Sequence, residues 1–94
     1  MKTISGATLW QLKATHGLPL DMILLKCAQA GLTPEWLGLL DAALKDGANM
    51  KALCNELRFD IKEAYDAQAQ REVLGDLVMA CAHQSWTDRN QSRP

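Results

Sequence analysis

Apolar residues recur at intervals of three and four along most of the chain, the spacing of helices that each bury one stripe. The longest stripe runs Ile61, Tyr65, Ala69, Val73, Leu77 and Cys81, widened by Ala64, Leu74 and Val78. Lys62, Glu63, Asp66, Gln70 and Asp76 fall on the opposite face, so the pattern predicts a last helix over about Ile61 to His83. Further upstream, Trp36, Leu37, Leu39, Leu40, Ala43 and Leu44 cover more than one helical face. Leu20, Ile23, Leu24, Cys27 and Ala28 form another stripe, with Met22 and Leu25 left over. Those two segments are therefore central, or one of them faces a partner. No strand-length run of alternating apolar and polar residues stands out.

Start and stop residues divide the pattern into five segments. Ser5 or Thr8 caps a helix over Ala7 to His16, and Gly17 ends it. Pro19 fits the first turn of a second helix that runs to Ala30 and stops at Gly31. Thr33, Pro34 and Glu35 read as cap, first helical position and favourable N-terminal charge of a third helix, which ends at Gly47. Asn49 caps a short fourth helix ending near Leu57, a turn follows at Arg58 to Asp60, and Asp60 with Glu63 reads as a capping pair for the fifth. The predicted fold is all-α: a compact bundle of four to five short helices with a longer C-terminal helix. Residues 1–84 form a single helical domain, and the polar stretch 85–94 is a flexible, frayed tail.

Composition narrows the function classes. Ninety-four residues make one domain. Ten Lys and Arg against eleven Asp and Glu give a net charge of −1, which argues against a generally basic nucleic-acid surface. No apolar run approaches the roughly 20 residues of a membrane span, and no secretion signal is visible, so a cytoplasmic protein is expected. Cys27, Cys54 and Cys81 are odd in number and far apart, without paired spacing. The expectation is three buried free thiols in a reducing compartment, with neither a disulfide framework nor a metal site.

Two resemblances follow from the turn region. Cys27 as a small residue, Gly31 in the turn, Leu32 and Thr33 beside it, and Leu37 and Leu40 as anchors resemble the helix-turn-helix pattern. That resemblance implies DNA reading by the second helix, but its start offers Pro34, Glu35, Gly38 and Asp41 instead of base-reading side chains. Gly31-Leu32-Thr33-Pro34 is also similar to the opening of an ankyrin repeat. Gly47 follows Thr33 by only fourteen positions, too few for a repeat of about 33 residues, and no second copy is present.

Candidate chemistry is sparse. Cys81 and His83 are two apart, on different faces of a helix. The carboxylate pairs Asp60/Glu63 and Glu72/Asp76 read as a solvated acidic face. Glycines fall singly along the chain and build no phosphate-cradling loop. No catalytic, cofactor-binding or metal-binding residue is assigned, no small-molecule substrate is inferred, and the chain is expected not to be an enzyme. What remains is an excess of large apolar side chains. Trp10, Met22, Trp36 and Leu39 are the predicted contact residues of a small regulatory domain that binds a protein partner or forms a homodimer. The alternative is a small helix-turn-helix DNA-binding regulator.

Overall fold

Ser5 and Gly17 set the limits of the first helix. The Ser5 hydroxyl accepts from the Thr8 N–H at 3.3 Å, and Gly17 turns left-handed at φ 70°. Gly31 and Gly47 adopt the same conformation at the two later stops. The computed structural model describes residues 2–91, with side chains described through residue 85. Its elements are β1 (Lys2–Ile4), α1 (Gly6–His16), α2 (Leu20–Gln29), β2 (Leu32–Pro34), α3 (Trp36–Lys45), α4 (Met50–Ala64) and α5 (Ala67–Gln91). The architecture is the small helical bundle that the periodicity predicts, with one short parallel strand pair added.

The strand pair corrects the reading of Thr33 and Pro34. They lie in β2, where Thr33 pairs with Thr3 and Pro34 with Ile4. Two helices, α1 and α2, form the crossover that a parallel pair requires. Glu35 caps α3 instead: its carboxylate accepts from the Gly38 N–H at 3.0 Å, while its own N–H donates to the Ile4 carbonyl at 2.8 Å. The N-terminal strand is thereby fastened to the start of α3.

A second correction concerns α4 and α5. Helix α4 runs unbroken through Arg58 to Asp60, where a turn was expected, and the chain breaks at Tyr65 and Asp66. Asp66 caps α5 by accepting from the Ala69 N–H at 2.8 Å. The Gln70 amide donates to the carbonyls of Lys62 and Tyr65, satisfying the end of α4. The buried stripe survives the break because Ile61, Tyr65, Val73 and Leu77 still face one core. Backbone helix also continues through 85–91, part of the expected tail; residues 92–94 lie outside the described residues.

Helix α3 is central. It packs on α1 and on α5, while α2 packs chiefly on α4 and β2. Leu39, Leu40 and Ala43 are fully enclosed, together with Leu24 of α2, Leu57 and Ile61 of α4, and Leu77 of α5. Helices α2 and α3 therefore do not form the adjacent pair that the helix-turn-helix resemblance implies. Among the described residues no helix is long and apolar enough to cross a membrane.

The α1–α3 contact is close enough to forbid a side chain at Gly6. A Cβ there would overlap the Glu35 carbonyl oxygen and the Leu39 backbone nitrogen. Backbone cannot rotate aside, so Gly6→Ala is expected to destabilise the domain by about 3 kcal/mol or more. Urea denaturation of the two proteins checks this; an unchanged midpoint would contradict the packing.

Candidate interaction surface

The four predicted contact residues divide between core and surface. Trp36 is 4% exposed and Leu39 0%, so both are core and neither is available to a partner. Their apolar excess is absorbed because α3 is covered on two sides. Trp10 is half-buried on α1. Its indole N–H donates to the Asp46 carboxylate at the end of α3, and the Lys13 ammonium lies 5.1 Å from its ring centroid. Met22 alone of the four is well exposed, at 47%.

The surface gathers different apolar residues beside Met22. Leu25 stands next to it on α2, and both line a groove against α4 with Asp21, Glu63 and Ala64. The groove continues past Ala28 and Ala64 to Tyr65, Asp66 and Ala69. Phe59, the aromatic residue of α4, is 64% exposed and lies one turn before Glu63, which lines the groove. The turn that the sequence predicts at Arg58 to Asp60 conceals Phe59 as a helix-surface residue. An unbroken helix would have shown it on the outward face, four residues from Asn55 and Glu63. Separately, Leu37 of α3 and Met79 of α5 border a shallow depression with Glu35, Asp76 and His83.

Behind the α2–α4 contact lies Asp60, an anomaly for a surface helix. It is buried, and its Oδ2 has no hydrogen-bond partner. Burial pushes the carboxyl up to about 6, and the negative charges of Glu56, Asp21 and Glu63 add in the same direction. Tyr65, whose phenol burial pushes up to about 12, spends its O–H on the Leu32 carbonyl at 2.8 Å.

The cysteines contradict the expectation of three free thiols. Cys54 of α4 and Cys81 of α5 are joined as a disulfide across 27 residues, and only Cys27 is free. Cys27 is buried and its thiol pKa is raised by burial, the opposite of an activated nucleophile. Among the described residues no group of three or more His, Cys, Asp or Glu side chains is disposed to hold a metal ion. Compared with known protein families, curated proteins and solved structures, the chain matches none.

Two outcomes follow from these groups. Closing a 27-residue loop is worth about 3–4 kcal/mol on chain-entropy grounds. Reduction, or the Cys54→Ala/Cys81→Ala pair, is expected to lower the melting temperature by at least about 10 °C; equal melting curves with and without reductant would contradict it. Asp60 gives a pH signature. Its folded pKa lies above the unfolded value of about 3.9, so the folded state retains a proton that the unfolded chain has lost. Its contribution is complete below about pH 4 and is lost as pH rises to about 6, by on the order of 2 kcal/mol. Asp60→Asn is expected to remove that slope, read as the difference between variant and parent in denaturation midpoints from pH 4 to 7.

Proposed function

We propose that this chain is a small non-catalytic interaction domain that presents the outward face of α2 and α4 to a protein, either a partner or a second copy. One observation carries the reading: Met22 and Leu25 stand exposed along the α2–α4 groove and Phe59 stands exposed on α4, although the core closes without them. Large apolar and aromatic side chains grouped on a small domain are the composition of an interface centre. Such a patch is also a standing cost in water, at roughly 25 cal/mol per Å² of apolar area.

The DNA-binding alternative draws less support. Helix α3, the element that would read bases, spends its faces on α1 and α5. A catalytic reading built on the Cys27 thiol draws little support, since that thiol is buried and its pKa is raised. The disulfide favours an oxidising compartment over the reducing cytoplasm that unpaired cysteines would imply.

Leu25→Glu tests the reading. It places a charge in the groove at a residue already 43% exposed, so the fold is expected to persist by circular dichroism. The parent chain is expected to associate in sedimentation or chemical cross-linking, with itself or with a captured partner, and the variant to lose that association. A variant that keeps every association of the parent would sink the proposal.

A further inference from the structure

We propose that the partner is a second copy of this chain, docked through α4 with the two α4 helices parallel about a two-fold axis. This rests on the interaction reading above and names its occupant. The carrying observation is how charge is sorted around α4. Lys51, Arg58 and Lys62 are exposed along one flank of its outward face, within about 40° of each other at 100° per residue. Glu56 and Glu63 are exposed along the other flank, about 140° away. Ala52 and Phe59 lie between, seven residues apart and both exposed.

Helix α4 does not neutralise these charges itself. Arg58 and Lys62 are four apart, as are Glu56 and Asp60, so its near neighbours repel. Among the described residues the ion pair present is Lys45 with Asp41, on α3. Among the described residues the two flanks are therefore unpaired, and they are complementary to each other.

Symmetry decides the arrangement. A two-fold axis running along α4 sets the basic flank of one copy against the acidic flank of the other. An axis across α4 sets acid against acid and base against base, which like-charge repulsion opposes. The register of a parallel two-stranded coil gives the same pairs. Ala52 and Phe59 take the central position, and Lys51 and Arg58 take the flanking position that meets the residue five further on in the second copy. Those residues are Glu56 and Glu63. Four cross-copy pairs result, two from each chain.

The adjoining apolar residues extend the contact. Met22 and Leu25 border the acidic flank through the groove they share with Glu63. Val78, 44% exposed, lies on the same stripe of α5 as Cys81, whose bond to Cys54 puts that stripe beside α4. Asn55 and Lys62 occupy the second heptad position, where each faces its own counterpart: apolar residues would be needed there for an obligate coil, and the Lys62 pair is a like-charge contact that weakens this one. The association is accordingly reversible and, because its ion pairs are exposed, sensitive to salt.

Sedimentation equilibrium of the intact oxidised chain, over a range of concentrations and at about 0.05 and 0.5 M salt, tests this. The parent is expected to dimerise with concentration and to dissociate at the higher salt. Lys51→Glu/Arg58→Glu and Glu56→Lys/Glu63→Lys are each expected to raise the dissociation constant at least about tenfold. An equimolar mixture of the two is expected to recover the dimer. As an independent readout, Ala52→Cys is expected to cross-link to its counterpart on mild oxidation, which parallel helices permit. A parent that stays monomeric at low salt overturns the proposal, as does a mixture that fails to recover association. A dimer indifferent to both charge reversals but lost in Leu25→Glu also overturns it, while leaving the interaction reading standing. A dimer indifferent to all three variants overturns both.

Discussion

The close crossing of α1 over α3 is the constraint on which the rest of the bundle depends. Gly6 lies directly on the backbone of Glu35 and Leu39, and Gly38 of α3 faces the start of α1 in return. Only residues without side chains allow two backbones to approach this near. With α1 drawn down, β1 is brought alongside β2, and the Ile4 carbonyl receives the Glu35 N–H. With α3 covered from that side, its opposite face is free for α5, and Trp36, Leu39 and Leu40 become core. A larger residue at Gly6 would displace the strand pair, the α3 cap and the central helix together.

Much of this was legible in the residues, and the exceptions have physical reasons. Gly17, Gly31 and Gly47 stop helices because a left-handed residue is needed there, and Asn49 caps because its side chain reaches the Ala52 N–H. Thr33-Pro34-Glu35 misled because a cap followed by proline looks the same at the end of a strand. Three-residue strands are too short to show alternation, and their pairing is fixed by α1 and α2, not by local preference. The break at Tyr65 was hidden because the core needs the same four-residue spacing on both sides of it. The surface was read less well than the fold. Trp36 and Leu39 read as contact residues in the sequence because a single sequence does not reveal how many neighbours cover a helix. The Cys54–Cys81 bond was missed because it joins two helices whose approach is itself a tertiary result.

Helix α4 carries an unusual share of conflicting demands. Its inner face supplies Leu57 and Ile61 to the centre of the core. Its boundary with α2 holds Asp60 largely out of water, among other carboxylates that oppose its ionisation. Its outer face sorts acids from bases, an arrangement of no benefit to an isolated helix. The fold tolerates the last two because the inner face and the disulfide secure α4 without help from its polar residues.

The disulfide also changes the topology of the chain. Residues 54 to 81 form a covalent ring containing the second half of α4, the break at Tyr65 and the first half of α5. A force drawing the two ends apart passes through the Cys54–Cys81 bond and never loads that ring. Under tension the oxidised molecule yields the length of the segments on either side of the ring and stops short. The contour hidden in the ring, roughly 90 Å at about 3.3–3.6 Å per residue, is released only once the bond is reduced. The part of the molecule that presents Phe59 would therefore hold its local connectivity under a pull that has already undone α1 and α2.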